Sequence, residues 1–171
     1  YVYYWEKNGS VVKEEFDSEW LTNKLAESNY AYIDEDGAFQ HSGTPIDGVD
    51  INSSISKKAI DFAFIGGHAA LLFEDNTIET YGVWANLWNY DDVISIPDGL
   101  SVVKMLATTH SDTGLVARFA TLLSNGELIT WGDNDHNYDI DGLNIVDIVA
   151  NDYSFLAITD KGNFFTWGEG G

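Results

Sequence analysis

A short apolar run closing on a two-residue polar turn occurs four times in this 171-residue chain. The four runs are Tyr30 to Gly37, Ala69 to Asn76, Phe119 to Gly126 and Phe155 to Gly162. Their last residues, Gly or Asn, accept the positive φ that tight hairpin turns require. The flanking residues keep the same phase. Ile33, Leu72, Leu122 and Ile158 precede the turn, and Phe39, Ile78, Leu128 and Phe164 follow it. Each second run ends on a glycine pair: Ser42-Gly43, Tyr81-Gly82, Trp131-Gly132 and Trp167-Gly168. After three of these, a loop (Ile46 to Val49, Ile96 to Leu100, Ile140 to Leu143) leads into a further apolar segment. Those segments are Ala59 to Ile65, Val102 to Ala107 and Ile145 to Ala150. Steps of 36 to 50 residues holding several short strands each predict a propeller or a β-solenoid. Helical spacing is confined to Ser18 to Ser28.

Trp131-Gly-Asp-Asn134, Trp167-Gly168, Gly67-His68-Ala-Ala-Leu71 and Asn125-Gly-Glu-Leu-Ile-Thr-Trp-Gly132 resemble repeats of the regulator of chromosome condensation family. The likeness runs over nearly the whole chain and implies an all-β, propeller-like array, in a family whose propellers usually have seven blades. It departs from the family where the steps are shorter and where Ser42 and Tyr81 stand in place of Trp. One domain over residues 1–171 is expected, with about four blades near 11–49, 50–99, 100–143 and 144–171. Residues 1–10 then end a preceding blade or supply a closing strand. Val2 to Trp5 occupies the same phase as Phe164 to Gly168, so an open arc or excerpt of a larger propeller is expected. The alternative is a small propeller that closes on itself.

Charge narrows the function classes. Eight Lys and Arg against 28 Asp and Glu leave a net charge of −20. Such a chain repels phosphate backbones, which argues against nucleic acid as a partner and against anionic membrane surfaces. No apolar run is long enough to insert in a membrane as a helix. Without Cys there are no disulfides, thiolate zinc sites or cysteine nucleophiles. Aromatic residues, at 14%, supply ample material for a core.

Catalysis is not expected. There is no Gly-x-Ser-x-Gly elbow, no phosphate-cradling Gly-Lys-Ser/Thr loop and no dinucleotide fingerprint. His41, His68, His110 and His136 are too scattered to pair on a metal by local spacing. The family resemblance makes His68 a buried structural residue. Asp133, Asp135, Asn137, Asp139 and Asp141 offer oxygens at alternate positions in the loop after Trp131-Gly132, as calcium cages do, while Asn134 matches the Asn that follows Trp-Gly in the resembled family. However, Tyr138 stands where an EF-hand needs Gly, and Asn144 where it needs Glu, so a solvated loop is the preferred reading. No metal and no cofactor are assigned. Trp84, Trp88 and Tyr90 cluster outside the repeat frame, as interface anchors or sugar-stacking platforms would, or as cover for a blade edge. With Asp133, Asn134, Asp135 and Asp139 they form the candidate partner-binding set. Glycosylation sequons begin at Asn8 and Asn52.

The expected function is therefore a non-catalytic binding module presenting propeller loops to a protein, with basic partners favoured by charge. A glycan ligand, self-association through open blade edges, and an extracellular, surface or virion setting fit the same composition. The rival readings are an inhibitor or regulator of an enzyme or small GTPase, or part of an enzyme whose site needs further blades.

Overall fold

The repeated turns are hairpins. Gly37, Asn76, Gly126 and Gly162 have φ of 82°, 61°, 85° and 77°. Each donates its N–H to the carbonyl three residues back, on Asp34, Phe73, Leu123 and Thr159. This is a type I turn completed by a left-handed residue, which is why Gly or Asn recurs there.

The computed structural model describes residues 2–5, 11–14, 31–41, 57–65, 68–82, 93–109, 117–132 and 142–168. All regular elements among them are β-strands. β1 (Val2–Trp5) pairs with β2 (Val11–Glu14), and β3 (Ala31–Ile33) with β4 (Phe39–His41). β5 (Ala59–Ile65), β6 (His68–Phe73), β7 (Thr77–Gly82) and β8 (Ile94–Ser95) form a four-stranded sheet in chain order. β9 (Val102–Thr109), β10 (Ala117–Leu123) and β11 (Leu128–Gly132) form the next sheet. β12 (Ile145–Ala150), β13 (Ser154–Thr159) and β14 (Phe164–Gly168) form the last. All pairings are antiparallel. The apolar segments that follow the Asp-Gly loops become β5, β9 and β12, the first strand of each sheet. Gly99 and Gly142, which close two of those loops, also have positive φ. Among the described residues no strand joins the first sheet to the last.

The sheets stack as blades. Side chains alternate across a strand, so a middle strand between two neighbours is apolar on both faces. β6 and β10 are accordingly buried at every residue. One face of β6 (Ala69, Leu71, Phe73) packs with Phe39 of β4. The other (Ala70, Leu72) joins Ile78 and meets Met105, Ala117, Phe119 and Leu123 of the following sheet. Ala120 and Leu122 on the far side of β10 pack in turn with Ile148, Phe155, Ala157 and Trp167. Each blade thus has a leading face toward its predecessor and a trailing face toward its successor.

Trp131 and Trp167 occupy equivalent leading-face positions. Each lies opposite a Phe in register, Phe119 or Phe155, and stacks on it with ring centroids 5.3 and 4.9 Å apart. The Trp131 indole N–H also reaches back across the blade interface to Thr80 Oγ1, at 2.8 Å. Backbone joins the blades as well. The carbonyls of Gly37, Asn76 and Gly126 accept N–H bonds of 2.8–2.9 Å from Ala59, Ile96 and Ile145. All three donors are buried aliphatic residues leading into or preceding the next blade.

Candidate interaction surface

The first strands carry a feature that the periodicity does not announce. β5, β9 and β12 each slip register against their middle strand, between Ala59 and Asp61, between Val102 and Lys104, and between Ile145 and Asp147. The extra residue in each bulge, Ile60, Val103 or Val146, loses its place in the ladder. All three are branched aliphatics, and all three face solvent, at 53%, 60% and 53% exposure. β9 lies between β5 and β12, so equivalent bulges on three adjacent strands place an aliphatic row along the first-strand side of the array.

Charged residues follow each member of the row. Asp61 and Asp147 accept the next backbone N–H, from Phe62 and Ile148, at 2.8 Å, which fixes the bulge. Lys104 reaches across the blade boundary to Asp147 at 2.9 Å, and that hydrogen bond holds the Asp147 carboxyl below its usual pKa. Asp61 has no cation within ion-pair distance among the described residues; its side chain is exposed to solvent, and desolvation by the groups crowded around it moves its carboxyl only somewhat upward.

At the other end of the same strands lies an open hollow of about 350 Å³, lined by Ala63 to Ile65, Met105 to Ala107 and Ala150 to Asp152. Asn151 is committed to structure there, its side-chain oxygen accepting the N–H groups of Tyr153 and Ser154 at 2.8 and 2.7 Å. A separate polar cluster sits on the third sheet. The Lys57 ammonium bridges Asp75 and Glu79 at 3.0 and 2.8 Å, and Tyr81 donates to Glu79 at 2.8 Å. Burial and the Glu79 bond both drive the Tyr81 hydroxyl far up in pKa. Its partners are mutually satisfied, so the cluster reads as scaffold.

The candidate residues Trp84, Trp88, Tyr90, Asp133, Asn134, Asp135 and Asp139 all lie outside the described residues, as do His110, His136 and the segment Ser18 to Ser28. His68 is fully buried in β6, opposite Gly82. His41 stacks on Phe39, with centroids 5.9 Å apart. Among the described residues no three His, Cys, Asp or Glu side chains gather as a metal set, and no helix is long and apolar enough to cross a membrane. The bulge row was missed at the sequence level. Its signal was present as a β-branched residue before Asp or Lys in Ile60-Asp61, Val103-Lys104 and Val146-Asp147, but strict alternation hides a one-residue slip.

No protein-family model matches the chain, and no curated protein matches it in sequence. Solved structures do match. Human WBSCR16 is similar at 14% identity and a TM-score of 0.50, over 81% of this chain and 45% of that one. The CRINKLY WD40 ectodomain of the Arabidopsis thaliana receptor kinase ACR4 is similar at 15% identity and a TM-score of 0.51, over 81% and 49%. Prp20p of Saccharomyces cerevisiae, a protein studied for its binding to Gsp1p and histones, aligns at 23% identity and a TM-score of 0.44, over 66% and 33%. The fold is of the β-propeller type. The chain spans less than half the length of each of these structures.

Proposed function

We propose that this chain is a non-catalytic binding module that offers a propeller surface to a protein partner. The observation that supports this most is the row of Ile60, Val103 and Val146, exposed at equivalent bulges on three neighbouring first strands. Blade stacking has no use for these side chains, yet each costs exposed apolar area. Exposed apolar side chains at equivalent, charge-flanked places on neighbouring strands suit a protein-binding surface. The net charge of −20 favours a basic partner, steering its approach and sharpening discrimination more than it raises affinity.

The test is retention of proteins from the native source on immobilised full-length chain, compared with an Ile60→Ser/Val103→Ser/Val146→Ser variant of unchanged circular dichroism. A defined protein retained by the parent, lost from the variant and released by added salt is the expected outcome. Equal retention by both would remove the row from the function. Binding of a glycan alone would replace the protein reading altogether.

A further inference from the structure

The hollow at the far end of the first strands is built jointly by β5, β9 and the turn that follows β12. Its wall grades from core to surface: Met105 is buried, Ile65 and Ala107 are half-buried, and Ala150 is exposed. Among the described residues its polar lining comes from Asn151 and Asp152. Both are held in place by the turn itself. Asn151 donates its N–H to the Ser154 carbonyl at 3.0 Å, and its side-chain oxygen takes the Tyr153 and Ser154 N–H groups. The Asp152 carbonyl accepts the Thr109 N–H at 2.8 Å, which ties the turn to the end of β9. The Asp152 side chain is exposed, and no cation among the described residues lies within ion-pair distance of it.

Positive charge is kept at the opposite end. Lys57 and Lys58 precede β5, Lys104 pairs with Leu122 beside the hairpin turn, and Lys161 lies in the last hairpin turn. Every lysine of the three sheets that build the hollow is therefore at the hairpin-turn end. Between residues 59 and 168 the sequence holds one further Lys or Arg, and that residue, Arg118, is 6% exposed in β10. The lysines at the turn end neutralise acids there, Lys57 with Asp75 and Glu79, and Lys104 with Asp147. Asp152 has no such neighbour. An apolar wall thus ends on a carboxylate that the blades leave unneutralised.

We propose that this hollow seats a basic side chain of the protein partner, its aliphatic stem against Ile65, Ala107 and Ala150 and its cationic head at the Asp152 carboxylate. The proposal rests on the reading of the chain as a binding module for a basic protein, and names the place where that charge is received. Lys and Arg lay their methylene stems on apolar surface and keep the charged head at the water boundary, which is the polarity this hollow offers. Its volume of about 350 Å³ is at the low end of ligand pockets, about 300–1,000 Å³, and suits one long side chain better than a cofactor. A single carboxylate supplies too few oxygens to hold a metal ion such as calcium. The aliphatic row lies at one end of the first strands and the hollow at the other, so the two contacts together orient the partner along those strands.

The test is a titration of the full chain, carbon-13 labelled at its alanine methyls, with a capped tripeptide bearing a central lysine and with the same peptide bearing norleucine. Saturable shifts of the Ala63, Ala107 and Ala150 methyls by the lysine peptide are the expected result. Affinity should fall about threefold or more with norleucine or in Asp152→Asn, and should hold in Asp98→Asn, which removes an exposed carboxylate before β9. Ala150→Trp, which narrows the hollow without changing charge, should abolish the shifts at Ala63 and Ala107. Equal binding of the two peptides, equal weakening by the two Asp→Asn changes, or shifts that persist in Ala150→Trp would each overturn the proposal. The Ile60→Ser/Val103→Ser/Val146→Ser chain should bind the lysine peptide as the parent does. A failure of the row and a failure of the hollow are therefore read separately.

Discussion

His68 and Gly82 lie opposite one another on β6 and β7, and the imidazole fills the space that a side chain at position 82 would need. A Cβ built on Gly82 would come within 2.3 Å of His68 Nδ1. Gly82 is therefore held by its neighbour's ring, whereas Gly132 and Gly168, its repeat counterparts, have φ of 97° and 107° and are needed for backbone reasons as well. Gly82→Ala should destabilise the chain by ~1–3 kcal/mol through overpacking. In the His68→Ala background the same change should cost much less. Denaturant titration of the four chains measures the coupling, and strict additivity would show that the ring is not what excludes the methyl.

Trp131 and Trp167 share a position but differ in what they contact. Removing the Trp131 indole N–H by Trp131→Phe should cost about 1 kcal/mol beyond its packing loss, and Thr80→Val should absorb that increment. Trp167 is buried among Ala120, Leu122, Ile148, Phe155 and Ala157, so Trp167→Ala should cost ~3–5 kcal/mol. A loss below ~1 kcal/mol there would place it outside the core. Urea unfolding followed by far-ultraviolet dichroism reads both.

Gly126 and Gly162 have the same turn conformation and different surroundings. Substitution by Ala costs ~1–2 kcal/mol at either, for the left-handed backbone. At Gly126 the new methyl also meets Asn144 Oδ1 and the Ile145 carbonyl, in the joint to the next blade. The Gly126→Ala chain should melt clearly below the Gly162→Ala chain. Equal melting temperatures would mean that the joint yields without cost.

Asp61 carries a pH signature. Desolvation by neighbouring groups raises its folded-state pKa above the unfolded value, and because the side chain is exposed and screened by solvent its ionisation opposes folding only weakly. Stability should fall as pH rises through the window between the unfolded and folded values, and the penalty is complete above the folded one. Asp61→Asn keeps an oxygen to accept the Phe62 N–H. It should therefore raise the melting temperature at pH 7 and lose that advantage below the ordinary carboxylate range. A melting profile parallel to that of the parent at every pH would refute this.

The bulge row should be dispensable for folding. Val103→Ser exchanges two exposed methyl groups for a hydroxyl and removes no core contact, so its effect on stability should stay within about 0.5 kcal/mol while partner retention falls. A large loss of stability would turn the row from a surface into a support.

Much of this architecture was legible in the residues. Left-handed turn residues, paired apolar runs and the recurring Trp-Gly step are local requirements, because a tight turn needs positive φ and a middle strand needs two apolar faces. Each signal acts over a few residues and repeats, so position after position reinforces it. The buried place of His68 was an expectation of the family resemblance, and the structure bears it out. The candidate aromatics drew notice because they lay outside that frame, and the acidic residues because their oxygens alternate along one loop; both sets fall outside the described residues.

What the tertiary structure alone decided concerns neighbours distant in the chain. The register slips at Ile60, Val103 and Val146 arise from pairing with another strand, and no local propensity encodes which residue the ladder will skip. The Trp131–Thr80 bond, the turn carbonyls that receive the next blade, and the ring over Gly82 each join residues brought together only by stacking or pairing. Phe164 makes the division plain. By sequence it is one more apolar residue after a hairpin turn, in phase with Ile78 and Leu128. Whether such a side chain is core or surface depends on the presence of a sheet against it, because burial is a property of the surroundings and not of the residue.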